Sequence, residues 1–185
     1  MIISLSGDPG AGKTTIAQML AEKLGWPKYY VGEMRRKAAA KRGMTLEEYN
    51  KLGEEDPATD KEVDQWQKDL GENEDNFIIE GRTSWHFIPR SLKIFLKVDP
   101  RAGAQRMLGQ LKKGERAKEA RRFSNVEEIM EINKKRVASD NQRYRQYYGI
   151  NAFDMDNFDI VIDTTGKSKE ETFNQVWQKI SPKSQ

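Results

Sequence analysis

The chain has 185 residues, no cysteine, and 32 Lys and Arg against 29 Asp and Glu, a formal net charge of +3. This length suits one domain with a sizeable core, and the missing thiols exclude disulfides and thiolate metal sites. With 33% of residues charged and a mean hydropathy of −0.87, no apolar run approaches the roughly 20 residues a bilayer requires, and the mixing of both signs argues against a membrane or nucleic acid as partner.

Met1 leads directly into a predicted strand at Ile2–Ser6, which leaves no room for a targeting peptide and predicts a cytoplasmic protein. The strand runs into Gly7-Asp8-Pro9-Gly10-Ala11-Gly12-Lys13-Thr14, a complete G-x-x-x-x-G-K-[ST] motif. A helix follows from Thr14 to Leu24, with Ile16, Met19, Leu20 and Leu24 at helical spacing. In such a loop, glycines let backbone N–H groups turn inward around an anion, and the helix N-terminus adds partial positive charge. Lys13 can reach the β- and γ-phosphates, and Thr14 offers a hydroxyl to Mg²⁺. A glycine-rich turn that merely joins strand to helix is the alternative; the full motif in strand–loop–helix order favours a nucleoside triphosphate.

Further strands are predicted at Tyr29–Val31, Phe77–Glu80, Leu92–Val98 and Ile160–Asp163, each separated by helical stretches. This alternation predicts right-handed crossovers and a five-stranded parallel sheet, hence an α/β fold. The unbroken apolar runs Phe77-Ile78-Ile79 and Ile160-Val161-Ile162 predict strands covered on both faces. Helix starts are read at the capping boxes Thr45-x-x-Glu48, Ser124-x-x-Glu127 and Ser168-x-x-Glu171, and at Asp99-Pro100 as N-cap and first helical residue. Two polar stretches interrupt the pattern. One is a helical excursion from Glu33 to Asn76. The other is Gly109 to Phe123, rich in lysine and arginine, which reads either as solvated surface or as a cation-bearing flap that closes over a phosphate.

Three groups carry candidate chemistry. Gly32 and Arg36 follow the second strand, where a glycine admits a ligand and an arginine can fork onto phosphate. Glu80-Gly81-Arg82 ends the third strand, on the side where open α/β sheets bind ligands; Glu80 there needs a cation or metal-bound water, in a site or in a structural ion pair. Arg136, Asp140 and Arg143 lie on one stripe of a helix from Val126 to Tyr148, at offsets of four and seven. That stripe continues back through Ile132 and Ile129, beside a core seam of Val137, Tyr144 and Tyr148. Either Arg136 and Asp140 form a surface pair, or the arginines at 36, 82, 136 and 143 converge around a polyanion. His86 reads as a packed, structural histidine.

In this ordered set the chain resembles the nucleoside monophosphate kinases, and most closely the compact archaeal cytidylate kinases. The likeness runs through Gly7–Thr14, Gly32-x-x-x-Arg36, Asp56-Pro57 with Asp60 to Gln67, Glu80-Gly81-Arg82, Leu92–Leu96, the Arg136/Asp140/Arg143 helix, and Tyr144 with Tyr147 to Ile150. Adenylate kinases separate the glycine and arginine that here are adjacent as Gly81-Arg82. Bacterial cytidylate kinases carry an acid where Thr83 stands, an aspartate in place of Glu80, and a large insert missing here. The resemblance implies a P-loop NTPase three-layer sandwich. Its core would be residues 1–32, 77–108 and 124–185, its monophosphate-binding segment 33–76 and its lid 109–123.

It further implies ATP-dependent, Mg²⁺-assisted transfer to CMP or dCMP by direct displacement, in a monomer whose partners are small nucleotides. ATP would meet Gly7, Asp8, Pro9, Gly10, Ala11, Gly12, Lys13, Thr14, Thr15, Arg116 and Lys167. The acceptor would meet Gly32, Arg36, Gly81, Arg82, Arg136, Asp140 and Arg143. Lys13, Arg82 and Arg136 would act on the transferred group, and Thr14 and Glu80 would hold the metal, Glu80 through water. Alternatives are another monophosphate such as UMP or AMP, a hydroxyl acceptor with Glu80 as base, or a non-catalytic ATP-driven switch.

Overall fold

The computed structural model describes residues 1–112 and 125–181. Five strands form one parallel sheet: β1 (Ile2–Gly7), β2 (Lys28–Tyr30), β3 (Phe77–Glu80), β4 (Leu92–Lys97) and β5 (Ile160–Asp163), in the order β2-β3-β1-β4-β5. Parallel neighbours require crossovers, and helices supply them. These are α1 (Lys13–Leu24), α2 (Val31–Lys41), α3 (Leu46–Glu55), α4 (Ala58–Asn73), α5 (Ser84–Phe87), α6 (Pro100–Lys112), α7 (Val126–Tyr148) and α8 (Lys169–Ile180). The central strand β1 pairs with β3 on one side and β4 on the other, so the chain switches direction across the sheet at β1. Ligands of such sheets bind beyond the carboxyl ends at that switch. The loop Gly7–Gly12 emerges there.

Strand alternation divides the core. Ile3, Leu5, Ile78, Ile94 and Leu96 pack on Ile16 and Leu20 of α1 and on Val176 and Ile180 of α8. Ile2, Phe77 and Ile79 face the other way, against Val31, Val63, Leu70 and Ile88. β3 is buried along its whole length, as its continuous apolar run predicts, and so is β1. β5 departs from that expectation. It is an edge strand with only Ile160 and Ile162 buried, and Val161 is 39% exposed. A run of three apolar residues does not distinguish a central strand from an edge strand with one apolar residue facing out.

Several element boundaries shift by one residue, two of them for a visible reason. β2 ends at Tyr30, because Lys28, Tyr29 and Tyr30 register with Ile78, Ile79 and Glu80 and Val31 opens α2. α7 is capped by Asn125, whose side chain accepts from the Glu128 amide at 2.8 Å, so the cap sits one residue beyond Ser124, which lies outside the described residues. The boxes at Thr45/Glu48 and Ser168/Glu171 form as expected, and the Asp99 carboxylate caps α6 through the Arg101 and Ala102 amides at 3.0 Å. The excursion after β2 is helical throughout its bulk, as α2, α3 and α4. Residues 109–112, expected to open a lid, instead finish α6. The remainder of that segment lies outside the described residues. Among the described residues no helix is long and apolar enough to cross a membrane.

Candidate active site

The loop after β1 takes its shape from glycine. Gly10 has φ +80°, and a Cβ there would stand 2.3 Å from the Gly103 carbonyl of α6, so any side chain would push loop and helix apart. Gly7 is held as tightly, against Leu96 of β4. Asp8 braces the same junction: its carboxylate accepts from the Val98 amide at 3.0 Å. Burial raises the Asp8 pKa, while the Val98 amide and Lys13 pull it down. Gly7 and Asp8 thus form the floor beneath the cleft, and their carbonyls hold the Lys13 ammonium at 3.0 and 2.7 Å.

Above this floor opens a cleft of about 1020 Å³. It is lined by Pro9, Gly10, Ala11, Gly12, Lys13, Thr14 and Thr15 from the loop and α1, and by Gly32 and Arg36 from α2. Glu80, Gly81 and Arg82 line it after β3, as do Arg136 and Asp140 on α7 and Lys167 before α8. Three proposed contacts are not on its wall: Gly7, Asp8 and Arg143. Arg116 lies outside the described residues. Lys167 turns its ammonium onto the Asp163 carbonyl.

At the loop end, charge is concentrated and poorly compensated. Burial, followed by the repulsion of Arg82 and Arg136, pushes Lys13 down to about 8, although Glu80 attracts its proton. Burial and then Arg136 likewise push Arg82 down to about 9. Arg36 lies over the Tyr30 ring at 5.0 Å, and neither Arg36 nor Arg136 forms an ion pair with a described residue. Glu80 is the carboxylate among these cations. Thr14 donates to one of its oxygens at 3.0 Å, and the other is buried with no partner. Burial raises the Glu80 pKa, while Lys13, Thr14, Lys28 and Arg36 lower it. A buried carboxylate oxygen with no donor, beside a threonine hydroxyl, suits a hydrated divalent cation.

At the helical end three arginines share two carboxylates. Asp140 binds Arg82 on one side and Arg143 on the other, and Asp60 binds Arg143 at 3.0 Å and also Arg35. Arg143 and Asp60 are 0% exposed and Asp140 only 3%. The alternative of an Arg136–Asp140 surface pair does not form, because Asp140 turns inward to Arg82 and Arg143. The stripe is also not uniform: Ile129 is buried, whereas Ile132 is 44% exposed. The arginines gather partly around internal carboxylates and not around a ligand alone. Behind them, Tyr148 donates to Asp64, which also accepts from Gln67 at 2.9 Å, and Ser84 donates to Gln67 at 2.7 Å. Burial, helped by Asp60, pushes Asp64 up to about 7. His86 packs edge-on to Trp85 and Phe87, as a structural residue would.

Several cleft residues escape a reading of the sequence. Arg35 lines the wall while its neighbour Arg36 carried the motif. Arg106 of α6 ties the turn before α8 into the cleft, donating to Thr164 Oγ1 and the Lys167 carbonyl at 3.0 Å each. Thr83, Asn50 and Tyr144 complete the helical end. Tyr144 was legible as core and as part of the family pattern but not as cleft lining, and Asn50 and Arg106 carry no local pattern.

A sequence profile of the Cytidylate kinase-like family matches residues 2–166. A cytidylate kinase from Methanocella arvoryzae is 40% identical over 167 residues, covering 89% of this chain and 88% of that one. One from Methanothermobacter thermautotrophicus is 35% identical and covers 89% and 95%. Among solved structures, shikimate kinase from Bacteroides thetaiotaomicron superposes with a TM-score of 0.64, over 98% of each chain, at 16% identity. That likeness shows a shared P-loop kinase fold and nothing about the acceptor. The family match spans the phosphate loop, the β3 triplet and the α7 arginines together, and the chain belongs to the cytidylate kinase-like family.

Proposed function

We propose that this protein transfers the γ-phosphoryl group of ATP to the phosphate of CMP or dCMP, giving ADP and CDP or dCDP. The observation that carries this reading is the set Lys13, Arg36, Arg82 and Arg136 lining one cleft, more cation than a triphosphate alone needs. A hydroxyl acceptor brings no second phosphate, and a nucleotide switch needs no second anion site. The names of the relatives supply the base.

Lys13 neutralises charge spreading over the transferred group, and Arg82 and Arg136 grip it from the acceptor side. The acceptor phosphate oxygen is already anionic near pH 7, so the reaction needs no general base. ATP would lie along residues 9–15, with Lys167 towards its adenine; Arg116, assigned to ATP by the resemblance, lies outside the described residues. Thr14 and Glu80 would hold Mg²⁺, Glu80 through water, and the ion would there neutralise the β- and γ-oxygens. Residues 33–76 form the acceptor arm, in which Gly32 and Gly81 leave room for substrate and Arg36 meets its phosphate. Asp140 meets the ribose, and Arg143 holds Asp140 in place from behind. Since Arg82 shares Asp140, an incoming phosphate competes for that guanidinium.

A steady-state assay of ADP formation with CMP, dCMP, UMP, AMP and GMP tests the reading. CMP and dCMP should give the highest kcat/KM; AMP in first place would refute it.

A further inference from the structure

The cations of the cleft sort into two chemical classes. Lys13, Arg82 and Arg136 repel one another, and Arg36 shares the field of Glu80 with Lys13. They suit phosphate. Arg35 points about 100° round α2 from Arg36, as consecutive helical residues do. Its guanidinium lies over Tyr49 of α3 at 5.4 Å, and it acts electrostatically on Asp64 of α4.

Arg35 is only 9% exposed, yet it lines the cleft. Nε and one terminal nitrogen donate to Asn50 Oδ1 at 3.2 and 3.0 Å, and the other terminal nitrogen donates to Asp60. A guanidinium has five N–H groups, so each terminal nitrogen keeps one with no described partner. The charge is offset by Asp60, which Arg143 shares, the orientation is fixed by two neighbours, and a pair of donors remains. That combination suits a neutral planar group bearing two adjacent acceptors, the way arginine reads the paired acceptors of a base edge.

We infer that Arg35 reads the base of the acceptor, donating to the adjacent O2 and N3 of cytosine, with Asn50 as its positioning residue. This rests on the acceptor being a pyrimidine monophosphate, as proposed above. Cytosine presents two neighbouring acceptors on this edge. Uracil has an N3–H at the same place, so donor would face donor, and adenine sets an amino group beside its N1. Arg35 therefore selects cytosine over uracil.

The test compares the unmutated enzyme with Arg35→Lys, which keeps the charge but loses the fork, and with Asn50→Ala, which leaves Asp60 paired. The measurements are kcat and KM with CMP and UMP, the inhibition constant of ribose 5-phosphate, which carries phosphate and sugar but no base, and the melting temperature. In Arg35→Lys, kcat/KM for CMP should fall about 10- to 100-fold, the range of a bidentate base contact, while UMP changes less than about threefold. Asn50→Ala should shift the CMP/UMP ratio in the same direction, by less. Ribose 5-phosphate should bind all three proteins alike. Equal losses for CMP and UMP, weakened ribose 5-phosphate binding, or an unchanged CMP/UMP ratio in both folded variants would overturn the assignment. So would an unmutated enzyme that uses CMP and UMP equally, which would leave the kinase reading intact. An unmutated enzyme inactive on both would refute the kinase reading itself.

Discussion

The two ends of the cleft hold positive charge in opposite ways. Around the phosphate loop, Lys13 and Arg136 have no described carboxylate paired to them, and burial and mutual repulsion push Lys13 to about 8 and Arg82 to about 9. Around α4 and α7, Arg35 and Arg143 are matched by Asp60 and Asp140. Uncompensated charge stores a demand for an anion, which a ligand meets. Compensated charge stores geometry, which holds helices and side chains in place for a ligand. Arg82 belongs to both, paired to Asp140 and pressed by Arg136.

This contrast breaks if substitutions at the two ends behave alike. Lys13→Ala should lower kcat by about 10²–10³, the usual loss for one preorganised donor, without lowering the melting temperature, because burial already disfavours its ammonium. Arg136→Met should lower kcat by about 10², again with little change in melting, since Arg136 is exposed and pairs with no described residue. Asp140→Asn should act on stability as well as on KM. The helix stripe alone predicts a near-neutral melting temperature, but the carboxylate is buried between two guanidinium groups. Its loss should cost about 3 kcal/mol by denaturant unfolding, with Asp60 still holding Arg143.

A pH measurement sharpens the comparison. Lys13 releases its proton near 8 in the folded chain against 10.5 in the unfolded one. Between those values the unfolded chain holds more protons, so the Lys13 contribution to stability rises with pH across that window and is flat below it. ATP favours the ammonium and should draw in protons at about pH 8.5. Calorimetric titration in two buffers of different ionisation enthalpy should show that uptake in the unmutated chain and its loss in Lys13→Ala. The smallest effect belongs far from the cleft: Thr45→Ala removes the α3 capping box and should cost about 1 kcal/mol while leaving kcat unchanged.

What could be read from the sequence follows the range of each signal. The phosphate loop, the sheet and the boxes at Thr45 and Ser168 are written within a few residues, and all appear in the structure. The α7 cap slipped by one residue because Ser124 and Asn125 are equally good caps. Arg143 read as a cleft residue because its partner Asp60 lies 83 residues away. Arg35 and Arg36 look alike in the sequence; only the packing of α2 against α3 and α4 separates them. Asp64, Gln67 and Tyr148 form a buried network from residues whose individual patterns say only helix.

The central claim is that the acceptor is a phosphate and not a hydroxyl. The most direct test is ³¹P NMR of the protein with ATP, Mg²⁺ and an equal mixture of CMP and cytidine. The account requires the CMP singlet to be replaced by the paired doublets of CDP as ADP appears, with cytidine left untouched. Growth of a new monoester signal from cytidine, with CMP unconsumed, would contradict it.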